Sequence, residues 1–167
     1  FINSKDNYTS AFGLQWKKYR KTQLDSYTNT NISRKRLINA IGDIDSMIKQ
    51  KKQINVLEVG CGRGGGASYI ARYMSPKKMV GIDYSKNAIA LCNRIHSEKN
   101  LAFVEGDASN IPFENKSYDF VINVESSHCY PSIPRFLSEV ERGPTRSIRV
   151  RRPGLVVDFE LEEVESP

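Results

Sequence analysis

The chain has 167 residues, which corresponds to a single domain at roughly 100–200 residues per domain. Hydrophobic residues make up 39% and charged residues 26%, values that exclude wholesale disorder. No apolar run approaches the ~20 residues that span a bilayer, and the first residues lack the apolar stretch of a signal peptide. The three cysteines (Cys61, Cys92 and Cys129) have no metal-ligand spacing, so we expect a reduced, cytoplasmic protein without a metal or a membrane span.

The net charge of +6 is distributed unevenly along the chain. Residues 1–52 carry +7, residues 53–142 carry zero and residues 143–167 carry −1. Because nucleic-acid-binding domains present a basic face, the neutral middle segment predicts no nucleic-acid partner for the core. The oligomeric state is left open by these features.

The first 32 residues are polar and rich in Asn, Thr, Ser and Tyr. We interpret residues 1–32 as an arm or lid with one short helix, and a frayed terminus is the alternative. Ser33 is a candidate N-cap for an amphipathic helix, which begins the main domain at 33–167. Its predicted apolar stripe is Leu37, Ile41, Ile44 and Ile48.

From residue 53 onward, short apolar strands alternate with helical patterns. The predicted strands are residues 54–59, 79–82, 101–104, 118–123 and 154–158. Apolar runs separated by helices are typical of a parallel sheet that is covered on both faces. We therefore predict a doubly wound, mainly parallel, Rossmann-like α/β sheet, with its ligand at the carboxyl ends of the strands. Ser85 is predicted to cap the helix that follows the second strand, whose buried stripe is Ala88, Leu91, Cys92 and Ile95.

A glycine-rich loop follows the first strand. Gly60, Gly62 and Gly65 satisfy the pattern G-x-G-x-x-G, which is compatible with either a dinucleotide or S-adenosylmethionine. Glu58 precedes the loop and favours S-adenosylmethionine, because its carboxylate would repel a pyrophosphate and attract an ammonium or sulfonium group.

Two further acids end the next two strands. Asp83 is placed to accept ribose hydroxyls and serves either ligand equally well. Asp107 is placed to accept the amino group of an adenine, with Ile111 and Phe113 nearby to sandwich the ring. Three acids at three consecutive strand ends around a glycine loop are therefore more than isolated surface carboxylates.

Five short segments, in this order and spacing, resemble the class I S-adenosylmethionine-dependent methyltransferases over about residues 53–142. They are VLEVGCGRGGG at 56–66, GIDYS at 81–85, VEGDA at 104–108, IPF at 111–113 and YDFV at 118–121. The segment INVESSHCYP at 122–131 is similar to small-molecule O-methyltransferases of the phthiotriol dimycocerosate methyltransferase type, which act on lipid, polyketide or sugar hydroxyls. The resemblance implies S-adenosylmethionine as cofactor, S-adenosylhomocysteine as product and a small-molecule acceptor. The cofactor-binding residues that it implies are Glu58, Gly60, Cys61, Gly62, Asp83, Tyr84, Asp107, Ala108 and Asn123.

The acceptor side is predicted from the two histidines. Transfer to a hydroxyl requires removal of a proton, and histidine has the pKa for that task. His96 is expected to be solvated at a helix end, whereas His128 follows the fourth strand on the ligand side. In related sugar O-methyltransferases of the rebeccamycin type a histidine at the matching position acts as the base. The resemblance adds Asp158 as a second catalytic residue, and Glu125 is predicted to bind the acceptor or support the base.

The C-terminal segment departs from the family pattern. The helix predicted from the apolar stripe Ile133, Phe136, Leu137 and Val140 precedes this segment. In the family, that helix continues into an "RVLRPGG" run, and the sheet has seven strands in the order 3-2-1-4-5-7-6. Here residues 143–152 are lengthened and arginine-rich. A reading-frame slip or chimeric junction near residue 142, a basic surface loop and an RNA-contacting patch remain open. The last two strands are expected to be missing, which would leave residues 155–157 as an unpaired apolar edge. The alternative functions are an inactive cofactor-binding fragment and a nicotinamide-dependent oxidoreductase.

Overall fold

The computed structural model describes residues 54–124, 126–142, 144–152 and 155–160, with side chains from Ile54 to Arg142 except at Glu125 and His128. The predicted arm at 1–32 and the predicted helix after Ser33 lie outside the described residues. Within them, no helix is both long and apolar enough to cross a bilayer.

Strands and helices alternate in the described chain as the sequence predicts. In order they are β1 Asn55–Val59, α1 Gly65–Tyr73, β2 Lys78–Asp83, α2 Lys86–Ile95, β3 Leu101–Glu105, β4 Tyr118–Val124, a 3₁₀ helix at Ser127–Cys129, α3 Ile133–Arg142, β5 Pro144–Arg152 and β6 Leu155–Glu160. The sheet order is β3-β2-β1-β4-β5-β6. Strands β1 to β5 pair in parallel, so their carboxyl ends share one edge of the sheet.

The two faces of the sheet carry two apolar clusters. One packs under α1 and α2 and includes Val56, Ile70, Met79 and Ile122. The other packs under α3 and includes Leu57, Ile82, Val121 and Phe136. Because neighbouring strand residues point to opposite faces, strands buried on both faces must be apolar throughout. The doubly wound α/β prediction is therefore confirmed.

The helices follow the predicted pattern with one exception. The Ser85 side chain accepts a hydrogen bond from the Ala88 N–H, so the predicted N-cap of α2 is confirmed. Ala88 and Cys92 are buried, but Ile95 is 49% exposed. The prediction that Ile95 completes the buried stripe is wrong, since it is the exposed last residue of the helix, and Leu91 is only half-buried.

The C-terminal segment differs most from the predictions. Residues 144–152, for which a basic surface loop was one of the alternatives, form the fifth parallel strand beside β4. The strand predicted at 154–158 is instead β6, which runs antiparallel to β5, so residues 155–157 are paired. Among the described residues, the sheet thus has six strands where five were predicted. In the family order, an antiparallel strand lies beside the fifth strand. Here β6 occupies that position, so one of the two strands that were expected to be missing has a counterpart.

Candidate functional site

The glycine loop between β1 and α1 is a tight left-handed turn. Gly60, Gly62 and Gly64 have φ values of 73°, 55° and 71°, a region that L-residues with a Cβ avoid. The N–H groups of Gly60 and Cys61 both donate to the Ile82 carbonyl at 2.9 Å. The Gly62 N–H donates to Asp83 Oδ2 at 2.8 Å. Most of the loop's donors are therefore used to attach the loop to the end of β2.

Glu58 lies at the carboxyl end of β1 and is 5% exposed. The N–H of Ala67, in the first turn of α1, donates to its carboxyl group. Its Oε2 atom has no hydrogen-bond partner among the residues that the structure describes. Burial raises the pKa of Glu58 to about 8, the Ala67 N–H opposes this shift, and the negative charge of Asp83 adds to it. A cationic ligand bound beside the glycine loop would supply the hydrogen-bond donor that this buried oxygen lacks.

The glycines that the structure requires overlap only in part with those of the predicted pattern. A Cβ on Gly66 would lie 2.5 Å from Glu58 Oε1, and one on Gly60 would lie 2.3 Å from Ser126 Oγ. At Gly65, the third glycine of the predicted pattern, a Cβ would meet no described atom within 4 Å. Close approach therefore requires glycine at 60 and 66, while position 65 tolerates a side chain.

Asp83 ends β2 and links the loop to the next helix. Its Oδ2 accepts the Gly62 N–H and its Oδ1 accepts the Ser85 N–H at 2.9 Å. Burial raises the pKa of Asp83, and the Ser85 and Gly62 N–H groups partly oppose that rise. Each carboxylate oxygen can accept a second hydrogen bond, so the group retains capacity for ribose hydroxyls. Tyr84 follows at 58% exposure, available to cover a bound ring.

The third acid begins a short turn after β3. Asp107 Oδ1 accepts the Ser109 N–H at 2.7 Å, and the Asn110 N–H donates to the Asp107 carbonyl at 3.0 Å. Ala108 is buried, and Ile111 is 5% exposed within the core under α3. Phe113 is half-buried against Tyr118, with ring centroids 5.1 Å apart. The segment therefore brings Asp107 to the same edge as Glu58 and Asp83, while Ile111 mainly serves the core.

A polar network closes the site between β1 and β4. Asn123 is fully buried, and its Nδ2 lies 3.0 Å from the Val59 carbonyl, 2.8 Å from Ser126 Oγ and 2.6 Å from the Tyr130 hydroxyl. Ser126 Oγ and the Tyr130 hydroxyl are 2.8 Å apart. Asn123 Oδ1 is buried and has no partner in the described part of the chain. Sequence reasoning missed Ser126 and Tyr130, because serine and tyrosine after a strand are ordinary loop residues.

Cys61 is also in the predicted cofactor set, but its side chain is buried in the core under α1 and α2. Its N–H donates to Ile82 and its carbonyl accepts the Gly64 N–H at 2.9 Å. The backbone of Cys61 thus shapes the loop.

The predicted catalytic residues are placed less completely. His128 lies in the 3₁₀ helix after β4, and Glu125 lies outside the described residues. Asp158 lies within β6 opposite Arg149, three register positions from the Arg152–Leu155 pair, rather than at the end of a parallel strand. His96 was expected to be solvated, but its Nε2–H donates to the Arg63 carbonyl at 2.8 Å and its ring packs on Phe103. That expectation is wrong, because the end of α2 packs against the glycine loop.

Comparisons with known proteins identify the family of this chain. The family model described as "Methyltransferase domain" matches residues 57–143. The chain therefore belongs to the methyltransferase domain family, and its fold is that of a class I S-adenosylmethionine-dependent methyltransferase. This confirms the predicted family and S-adenosylmethionine as the predicted cofactor.

Particular relatives are similar over part of their length. The phthiotriol/phenolphthiotriol dimycocerosates methyltransferase of Mycobacterium leprae is 52% identical over 99 residues, 59% of this chain and 34% of that protein. The fatty-acid O-methyltransferase of Mycolicibacterium smegmatis is 50% identical over 99 residues, again 59% of this chain and 34% of that protein. The matched region thus spans about a third of the curated relatives. The crystal structure of a SAM-dependent methyltransferase from Aquifex aeolicus superposes with a TM-score of 0.54 at 19% identity, covering 68% of this chain and 63% of that chain. At that identity the last comparison shows the fold alone.

Proposed function

We propose that this chain binds S-adenosylmethionine at the carboxyl ends of β1, β2 and β3, as the cofactor-binding part of an enzyme that methylates a hydroxyl group. The acceptor that we propose is a small lipid-, polyketide- or sugar-like molecule. The observation that carries the proposal is the buried carboxyl of Glu58 at the first turn of α1, with Oε2 unpartnered among the described residues. This acid stands where a dinucleotide fold presents free N–H groups to a phosphate.

The glycine loop itself argues against a pyrophosphate. The N–H groups of Gly60, Cys61 and Gly62 are bonded to the end of β2, and that of Gly64 donates to the Cys61 carbonyl. Ala67 donates to Glu58. A phosphate would therefore meet few available donors and a carboxyl group, whereas a ligand with an ammonium and a sulfonium would meet acceptors. The same argument weighs against the nicotinamide-dependent alternative.

The residues present fit S-adenosylmethionine, whose sulfonium supplies an electrophilic methyl group when it is bound. Glu58 and Asn123 each offer a buried oxygen without a described partner, suited to the ammonium end. Asp83 would hold the ribose hydroxyls, and Tyr84 would cover the ribose and adenine. Asp107 would accept the adenine amino group, beside Ala108. The backbone turn at Gly60 to Gly62, which is bonded to the end of β2, would border the methionine part.

The acceptor chemistry rests on the residues after β4. We assign His128 the removal of the acceptor proton and Glu125 acceptor binding, because both come soon after β4 in the sequence and Asn123 lies near the carboxyl end of that strand. Positioning supplies most of the remaining catalysis when the electrophile is already activated. We leave Asp158 out of the proton transfer, since it lies on β6, which is separated from β4 by β5 in the sheet. The names of the two relatives, one for phthiotriol dimycocerosates and one for fatty-acid O-methylation, support a lipid-like acceptor.

Calorimetry of the full chain tests the cofactor part of the proposal. S-adenosylhomocysteine should bind at micromolar concentrations, and NAD should not bind in the same range. Glu58→Gln keeps the shape of the side chain and cannot ionise. It should lower the affinity for S-adenosylhomocysteine. Micromolar binding of NAD without binding of S-adenosylhomocysteine would overturn the proposal.

A second experiment separates the enzyme from the inactive fragment. A longer protein that contains this chain should transfer labelled methyl groups to a panel of hydroxylated lipids and to fatty acids, and the chain alone is run beside it. Binding of cofactor with no transfer by the longer protein to any acceptor would favour a non-catalytic role.

A further inference from the structure

The segment after β3, residues 107–113, is held from α3 by one ion pair. Arg142 donates from Nη2 to the Ile111 carbonyl at 2.6 Å and from Nη1 to the Phe113 carbonyl at 2.7 Å. Glu139 Oε2 accepts the Ile111 N–H at 2.8 Å. We refer to Glu139 and Arg142 as the α3 clamp.

The two members of the clamp also bond each other. Arg142 Nη2 lies 2.7 Å from Glu139 Oε2, and Arg142 Nε lies 3.1 Å from the same oxygen. Arg142 lowers the pKa of Glu139, and the Ile111 N–H lowers it further, while burial opposes them. Both groups are therefore charged at neutral pH, and one rigid guanidinium fork spans the carbonyls of Ile111 and Phe113.

The arrangement is more than a surface ion pair. An isolated exposed pair contributes little, whereas here charged groups bond three backbone atoms of one short segment. The segment's own bonds, from Ser109 and Asn110 to Asp107, set its shape. The clamp sets where that shape lies relative to the helix and hence to the sheet edge.

We propose that Glu139 and Arg142 are positioning residues for adenine recognition, which hold residues 107–113 so that Asp107 meets the amino group of the ring. This inference rests on the proposed function, because it requires the adenosine to lie at the end of β3. Neither residue contacts the ligand in this scheme. Their effect is therefore on discrimination between rings rather than on general affinity.

The test compares S-adenosylhomocysteine with S-inosylhomocysteine, in which an oxygen replaces the amino group. For the wild-type chain we expect a preference for the adenine compound of about 10- to 150-fold, the usual effect of one hydrogen bond to a charged group. Arg142→Lys keeps the charge and loses the fork, so the preference should fall below about threefold. The affinity for the inosine compound should change little. Glu139→Gln is the second variant, in case the first does not fold.

Arg72→Lys is the matched control. Arg72 forms an ion pair with Glu98 that is also partly exposed and joins α1 to the start of β3 without bonding residues 107–113. It should leave the preference unchanged. A loss of stability alone would weaken both compounds equally and leave their ratio intact.

The outcomes distinguish the two proposals. If the wild-type chain binds neither compound, the proposed function and this inference both fail. If it binds both equally, the ring is not read by Asp107 and the inference fails while cofactor binding stands. If it prefers adenine and both clamp variants retain that preference, the clamp is structural and only the inference is overturned.

Discussion

Gly66 lies directly against the carboxyl group of Glu58, so that a Cβ at residue 66 would stand 2.5 Å from Oε1. The missing side chain of one residue therefore makes room for the buried acid of another. Because the Glu58 carboxyl also accepts the Ala67 N–H, the start of α1 and the end of β1 form one unit. A change that displaces Glu58 should therefore lower the affinity for the ligand more than it disturbs the packing of the sheet.

Gly66→Ala should displace Glu58 and lower the affinity for S-adenosylhomocysteine at least about tenfold, which corresponds to about 1.4 kcal/mol. Overpacking should also lower the free energy of unfolding by about 1–3 kcal/mol. Gly65→Ala is the adjacent control, since its Cβ would meet no described atom, and it should change stability by less than about 1 kcal/mol. Calorimetry and urea unfolding measure both quantities. Equal affinities for the two variants would show that Glu58 does not contact the ligand.

The raised pKa of Glu58 predicts a pH-dependent stability. Between about pH 4.5 and pH 8 the unfolded carboxyl is ionised while the folded one holds a proton, so unfolding releases a proton and stability falls as pH rises. The fall should be on the order of 1 kcal/mol per pH unit from this residue. Glu58→Gln should flatten that part of the profile in urea unfolding at pH 5, 6, 7 and 8. A wild-type profile no steeper than that of the variant would contradict the assignment.

The same linkage predicts proton release on binding. An ammonium group favours the ionised carboxyl, so S-adenosylhomocysteine should expel a proton from Glu58 at pH 7. Calorimetry in buffers of different ionisation enthalpy measures the number of protons released, and affinity should rise between pH 6 and pH 8. In Glu58→Gln the release should disappear. Persistent release in that variant would place the proton elsewhere.

Asp83 is predicted to hold the ribose. Because its carboxylate also accepts hydrogen bonds from Gly62 and Ser85, Asp83→Ala will disturb the loop as well. The control is therefore a second ligand that lacks one ribose hydroxyl. The 2′-deoxy analogue of S-adenosylhomocysteine should bind the wild-type chain about 10- to 150-fold more weakly than the parent. In Asp83→Ala the two ligands should bind alike. A wild-type chain that does not distinguish them would mean that Asp83 does not accept from the 2′-hydroxyl.

The Tyr130 hydroxyl bonds Ser126 and Asn123 beside the Val59 carbonyl. Tyr130→Phe keeps the ring against Phe136 and removes these bonds, so the free energy of unfolding should fall by about 1–2 kcal/mol. Tyr73→Phe, at a residue 63% exposed, should change it by less than about 0.5 kcal/mol. Urea unfolding of both variants provides the comparison. If the two variants are equally stable, the network adds nothing to the fold.

His128→Ala tests the chemistry in a longer protein that methylates an acceptor. If His128 removes the acceptor proton, turnover should fall by about 10²–10⁴ while the affinity for S-adenosylhomocysteine stays the same. The wild-type rate should rise with pH through the pKa of the histidine, and the variant should lose that dependence. A variant with most of its turnover at neutral pH would leave the reaction to alignment alone or to Glu125.

The sequence alone determined the parts of this protein that depend on neighbours along the chain. The strand that contains Glu58, the glycines after it and the Ser85 cap are local features. Asp83 ends its strand, and Asp107 comes two residues after the end of the next strand. Parallel strands must then meet at one edge, so the three acids could be placed together without knowing any contact.

Only the tertiary structure decided what depends on close approach between distant segments. Gly66 rather than Gly65 faces Glu58, because the direction of the carboxyl is set by the packing of α1 on the sheet. Ser126 donates to the Val59 carbonyl from more than 60 residues away, and Arg142 reaches Ile111 from α3. The strand at 144–152 forms because β4 offers an unpaired edge and β6 covers the other side. Backbone pairing of this kind depends on whether a partner strand is available. The sequence pattern of the arginine-rich segment alone does not indicate that.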